Sequence, residues 1–122
     1  MKHTRDAVGR HYEALARVHL EKAGLSVIAE GYRCRLGELD LVCQQGMVLI
    51  VVEVRARRGG SLVSAAASVD RFKQRRIVAA TRHFLMTHPC WAQRRIRFDV
   101  VAISNIDVNP AIEWIRDAFQ EI

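Results

Sequence analysis

Apolar residues recur at helical spacing near the start of the chain. Val8, Tyr12, Leu15, Ala16, Leu20 and Ala23 line up at about 100° per residue to form one stripe. Thr4 can cap a helix here and Gly24 can stop it in the left-handed conformation, so a first helix is predicted between them. Glu13 falls just past the edge of the stripe, beside Leu20, where it can look along the seam between helix and sheet. After Gly24 the period changes. Residues 25–33 (LSVIAEGYR) read as a short strand, and residues 36–43 and 47–57 as two more, joined by Gln44-Gln45-Gly46. The run MVLIVV before Glu53 is apolar on both faces, as a central strand covered on each side must be. Arg58-Gly59-Gly60-Ser61 breaks the pattern and begins a loop.

A second helix is predicted over residues 69–87, closed by His88-Pro89. Its stripe is Val69, Ile77, Ala80, Phe84 and Leu85, and Lys73 lies within that stripe. Residues 97–104 (RFDVVAIS) form another strand, followed by a turn at Asn109-Pro110. Residues 111–122 fit a helix by spacing and a strand by their Ile and Trp content, so periodicity leaves that element open. A helix between two such strands predicts a right-handed crossover with the strands as parallel neighbours. The first turn of the second helix then lies near the C-terminal end of the third strand, beside Glu53 and Arg55. The whole chain, residues 1–122, suits one α/β domain with one core.

Composition narrows the class. Half the residues are apolar, yet no run approaches the ~18 residues a membrane helix needs. The first 17 residues alternate charged and small side chains, unlike a secretory signal. Cys34, Cys43 and Cys90 are odd in number and lack metal or redox spacing, which favours a reducing compartment, so a cytoplasmic location is expected. His83, His88 and Cys90 could be imagined as zinc ligands, but packing roles outweigh that reading. The net charge of +6 is unevenly spread: residues 67–97 hold Arg71, Lys73, Arg75, Arg76, Arg82, Arg94, Arg95 and Arg97 against Asp70 alone. Such a block suggests a polyanion partner whose binding weakens as salt rises. The plainer alternative is a solvated helix face.

The chemistry concentrates in GELDLVCQQGMVLIVVEVRARR (residues 37–58). Side chains alternate along a strand, so Glu38 and Asp40 share a face, as do Glu53 and Arg55. If Gln45-Gly46 is a two-residue turn, facing positions sum to 91, which sets Asp40 opposite Val51 and Glu38 opposite Glu53. All four charged groups then lie on one side of the sheet. Facing carboxylates repel by some tenths of a kcal/mol even when exposed, and by more on a central strand unless a positive charge stands between them. A divalent cation such as Mg²⁺ fits this need, taking one or two carboxylates with water and substrate phosphate. Ion pairing of Glu53 with Arg55, and of Glu38 with Arg35 or Arg57, fits it as well.

These motifs resemble the YraN family of small, largely uncharacterised bacterial proteins related to Holliday junction resolvases. The resemblance runs over residues 9–119 and rests on GELDL (37–41), VVEVRARR (51–58), the helix from Lys73 to Ala80, RFDVV (97–101) and the AF pair at 118–119. It implies a restriction-endonuclease-like α/β fold, a central mixed sheet flanked by helices in three layers, of the PD-(D/E)xK kind that hydrolyses phosphodiesters with Mg²⁺ or Mn²⁺. By position, Asp40 matches the first acidic ligand and Glu53 the second, Glu13 the acid supplied by the first helix, and Glu38 the family's GE pair. Arg55 stands where the family has lysine. Tyr12 replaces the glycine usual before Glu13, and Gly31 an asparagine usual at the end of the first strand.

The resemblance makes the expected function a Mg²⁺-dependent endonuclease acting on DNA, branched or otherwise structured. Arginine keeps its proton and cannot deprotonate water as a lysine can, although it can stabilise phosphate charge. This departure favours the rival reading, a nucleic-acid-binding module that keeps the fold and has lost cleavage. Lys73, Arg57, Arg71, Arg75 and Arg76 are the candidate phosphate contacts. Lys73 either runs its methylenes along the core and surfaces its amine, or reaches the phosphate in place of the missing lysine. One site per chain would cut one strand, so two-strand cleavage calls for a homodimer. His11 is predicted to face solvent, His19 to pack near the stripe, and Trp91 and Trp114 to pack rather than stack on bases.

Overall fold

A computed structural model describes residues 7–57, 67–104 and 109–121. Its elements are α1 (Ala7–Lys22), β1 (Ser26–Cys34), β2 (Gly37–Gln45), β3 (Val48–Arg57), α2 (Arg71–Thr87), a 3₁₀ turn (Pro89–Trp91), β4 (Arg95–Ser104) and β5 (Ala111–Phe119). The proposed cap at Thr4, the loop around Gly59-Gly60 and the side chain of Arg57 lie outside the described residues.

The end of α1 follows from Gly24. Its φ of +101° allows the Leu25 amide to bond Leu20 O and the Gly24 amide to bond Glu21 O, at 3.1 and 3.0 Å. This pair of bonds is a Schellman stop, and buried Leu25 and Leu20 share the apolar cluster beneath it. Ala16 and Leu20 face the sheet as the stripe predicts, but Val8 does not: it is 56% exposed, one turn beyond the part of α1 that meets the strands. Asp70 caps α2, its Oδ1 accepting from the Lys73 amide at 2.9 Å, so the helix begins at Arg71 rather than at Val69.

The strands form one sheet in the order β1-β2-β3-β4-β5, antiparallel except for the β3–β4 pair. β3 and β4 are parallel neighbours as the crossover rule requires, with α2 between them in sequence. On one face Leu49 and Val51 of β3 pack with Ile77, Ala80 and Phe84 of α2. On the other, Ile50 and Val52 pack with Ala16 and Leu20 of α1. Leu49 to Val52 are therefore buried on both sides, whereas Met47, in the turn before them, is 68% exposed. The result is an α/β/α sandwich around a mixed sheet, consistent with a three-layer restriction-endonuclease-like fold. Cys43 belongs to the α1-side core, where burial pushes its thiol up to about 12. The open element at 111–122 is a strand, because β4 presents a free edge for it to pair with.

The β2–β3 register differs from the expected one. Gly46 (φ +59°) takes the first central position of a Gly46-Met47 turn, so the chain reverses one residue later. Facing residues are Gln45 with Val48 through to Leu41 with Val52, and not Asp40 with Val51. The parity is unchanged, because both arms slip together.

A second irregularity shapes the site. In β1, Ala29 and Tyr32 both pack on the α2-side core although they are an odd number of residues apart, and so do Leu39 and Val42 in β2. Both strands therefore turn over between the pairs Glu30↔Leu41 and Tyr32↔Leu39, at Gly31 and the facing Asp40. Gly31 has φ +59°, a left-handed conformation that glycine and asparagine adopt most readily.

Gly37 makes room for a close approach. A Cβ there would stand 2.9 Å from the carbonyl oxygen of Arg76 in α2. Gly37→Ala is expected to push α2 outward and to cost about 1–3 kcal/mol in urea unfolding. A change within the error of the measurement would show that the helix yields without cost.

Candidate functional site

Beyond the Leu41–Val52 pair, β3 continues alongside β4 as far as Ser104 while β2 turns away at Asp40. The carboxylate of Asp40 bridges the opening, its Oδ2 accepting from the Val54 amide at 2.9 Å. A cleft of roughly 200 Å³ opens here, and its lining brings together Glu13, Glu38, Asp40, Glu53, Arg55 and Lys73. Each comes from a different constraint. Glu13 is buried at the edge of the α1 stripe, Glu53 and Arg55 share one face of β3, and Lys73 sits in the first turn of α2, held there by the Asp70 cap.

Glu53 is only 4% exposed, and its Oε2 lies 3.5 Å from Arg55 Nη1 and 3.6 Å from Lys73 Nζ. Arg55 is steadied by Ser68, whose Oγ accepts from Nε at 2.9 Å. The carboxyl groups of Asp40 and Glu53 are within hydrogen-bonding reach of each other. Burial raises the pKa of both. For Glu53 the charge of Asp40 adds to the rise, and Lys73 and Arg55 oppose it without cancelling it, leaving its carboxyl at about 8. Asp40 is also raised, but the Val54 amide and Lys73 favour its ionised form. Near neutrality the pair therefore favours keeping a proton between its two carboxyls.

A proton held between two such carboxyls can be displaced by a cation. Among the described residues no three His, Cys, Asp or Glu side chains form a metal-holding group, so an all-protein cage is not what this cleft offers. The Asp40–Glu53 pair instead suits Mg²⁺ or Mn²⁺, which bind through one or two carboxylates and keep open positions for water and phosphate oxygens. Glu13 and Glu38 line the same cleft as further acids. Another hollow, about 480 Å³ along Val69, Val100, Ile115 and Phe119, is mostly apolar and gathers no such pair.

The other expected positions divide. Arg71, Arg75 and Arg76 are exposed on α2. His83 and His88 are drawn into a packed cluster: His83 Nδ1 bonds the Tyr32 hydroxyl, and the ring of His88 stacks on Phe84 at 4.0 Å. His11 is exposed and His19 packs edge-on to Trp114 at 6.5 Å, both as predicted. Trp91 packs against the α2-side core and Trp114 against the other. Sequence reasoning overlooked Ser68, the Val54 amide and the cap at Asp70. Only the last carried a signal, as an aspartate just before a helical pattern.

The model of the uncharacterised protein family UPF0102 matches residues 12–103. A UPF0102 protein of Saccharophagus degradans is 48% identical over 111 residues, covering 91% of each chain. One from Xanthomonas campestris pv. campestris is 46% identical over 120 residues, 98% of this chain and 97% of its own. One from Methylobacillus flagellatus is 44% identical over 115 residues, 92% of this chain and 96% of its own.

Proposed function

The chain belongs to the UPF0102 family, and from the carboxylate cleft that its fold builds we propose that it is a divalent-metal-dependent phosphodiester hydrolase acting on nucleic acid, with DNA as the expected form. The observation that carries this reading is the meeting of half-buried Asp40 and buried Glu53 in one cleft, with Lys73 and Arg55 flanking Glu53. Mg²⁺ or Mn²⁺, when bound, would supply positive charge to the phosphate oxygens and acidify water.

The protein's own groups have separate tasks. Asp40 is oriented by the Val54 amide and offers its remaining lone pairs to the ion. Glu53, once deprotonated, would hold the ion as the second ligand. Arg55, fixed by Ser68, keeps its charge and can only stabilise phosphate. Lys73 brings its ammonium to the same carboxylate, a second positive charge for the phosphate. Glu13 and Glu38 hold further water through their carboxylates. Exposed Arg71, Arg75 and Arg76 follow the backbone without reading sequence.

The test is a cleavage assay on single-stranded, duplex and branched DNA with Mg²⁺ and Mn²⁺, using Asp40→Asn as the control. Cleavage by the parent and none by the variant supports the hydrolase. Salt-sensitive binding without cleavage under either metal replaces it with the binding module that Arg55 favours. Lys73→Ala is expected to slow cleavage roughly a hundredfold, the scale of losing one charge-stabilising donor. Unchanged binding and cleavage would remove Lys73 from the site.

A further inference from the structure

A second hollow, of about 320 Å³, adjoins the carboxylate cleft and shares Glu38 and Lys73 with it as a common wall. Its remaining lining includes Arg33, Gly37 and Arg76. The character of the two hollows is opposite. The cleft gathers four carboxylates and two cations, whereas the notch gathers Arg33, Lys73 and Arg76 against Glu38.

The notch is built by the fold rather than by loose surface side chains. Lys73 and Arg76 are three residues apart on α2 and so lie on one helix face. Arg33 arrives from β1, where it faces Glu38 across the β1–β2 ladder. Gly37 lets the start of β2 press on the α2 backbone at Arg76, so close that a Cβ would stand 2.9 Å from the Arg76 carbonyl. A larger residue there would move α2 and deform the hollow between them. Arg33, Lys73 and Arg76 all line this hollow, with the Arg76 guanidinium over the Phe72 ring at 5.9 Å and Lys73 Nζ 3.6 Å from Glu53 on the cleft side. Arginines so placed can grip the oxygens of a phosphate group with paired hydrogen bonds.

We propose that this notch is a second phosphate subsite, holding the phosphate next to the scissile one on the same nucleic-acid strand. The inference rests on the reading of the cleft as the place of cleavage. A strand laid across both hollows has the bond to be cut over Asp40 and Glu53 and its neighbouring phosphate among Arg33, Lys73 and Arg76. Glu38 stands on the shared wall and repels phosphate from the boundary, so the strand is held in register by charge. The preferred substrate therefore carries a phosphate flanking the cut.

The notch is tested without metal and without cleavage, by titrating the full chain with inorganic phosphate and following backbone amide resonances. Saturable shifts centred on residues 33–37 and 76 are expected. Arg33→Ala and Arg76→Ala, both at exposed positions, should each weaken phosphate about tenfold or more, and Arg76→Lys should keep part of the affinity. Arg82→Ala, on the same helix but paired with Glu121, should leave it unchanged. Shifts spread evenly over the arginine-rich surface, or equal losses from Arg82→Ala and Arg76→Ala, overturn the subsite. A short single-stranded oligonucleotide should displace phosphate from the notch, and failure to do so overturns the assignment to a nucleic-acid strand. Phosphate binding in the notch of a protein that cleaves nothing would sink the hydrolase alone, and cleavage with an empty notch would sink the subsite alone.

Discussion

Glu53→Gln is expected to move stability and cleavage in opposite directions. In the metal-free protein the Glu53 carboxyl is raised from 4.5 to about 8, first by burial and then by the charge of Asp40. Between those values the folded chain holds a proton that the unfolded chain has released, so stability falls as pH rises through that window. The contribution is fully present below about 4.5 and lost by about 8. Glutamine cannot ionise and removes this slope. Urea unfolding in a chelator should find the variant more stable at pH 8, by on the order of 3 kcal/mol, and little different at pH 4.5. Magnesium should recover the lost stability of the parent at pH 8 and do far less for the variant. Cleavage should meanwhile fall by roughly a hundredfold or more, since one of two ligand charges is gone. Parallel pH profiles for parent and variant would remove the shared proton, and with it the electrostatic case for a cation.

Asp99→Ala is expected to be among the most damaging single changes in the chain. Asp99 is fully buried and accepts four hydrogen bonds: from Arg97 Nε and Nη2, Trp114 Nε1 and the Asp117 amide, all at 2.8–2.9 Å. The last of these explains its position. β5 has a bulge between Ile115 and Phe119, where Asp117 takes φ 56° and turns its amide away from the ladder. The Asp99 carboxylate receives that amide, as the Asp40 carboxylate receives the Val54 amide at the other break in the sheet. Alanine would leave the Arg97 guanidinium, an indole N–H and a backbone N–H without their acceptor. A loss of about 3–5 kcal/mol follows from stranding one member of a buried charged pair, measurable as a lowered urea midpoint. Asp99→Asn keeps the volume and should cost less. A loss under 1 kcal/mol for alanine would mean that water replaces the carboxylate, which its full burial argues against.

The candidate site was legible to an unusual degree because its parts obey local rules. Glu13 at the edge of a helical stripe, Glu53 and Arg55 two apart on a strand, and Lys73 in a first helical turn each need only the period of their own element. The three arrive in one cleft because β3, a crossover helix and a parallel β4 leave few arrangements open. The residues that hold them were not legible. Ser68 precedes α2 in a stretch with no period to read, and the bond from the Val54 amide exists only because β2 has turned away. The expected pairing of Asp40 with Val51 failed for a small reason, one residue of turn position at Gly46, and the turnover of β2 at Asp40 then broke the alternation on which a shared face for Glu38 and Asp40 rested.

From residue order alone came the helices and most strands, the burial of Leu49 to Val52 on both faces, the stop at Gly24 and the membership of acids and bases in one segment. These depend on periodicity and on backbone preferences that act within a few residues. The tertiary structure decided the strand at 111–119, the turnover of β1 and β2 at Gly31 and Asp40, the burial that raises the Glu53 carboxyl, and the use of Asp99 as an internal bonding partner. Each depends on what lies across the sheet or in the next layer. A chain's own period says which side of its axis a residue takes, but not which partner waits there or how much water remains between them.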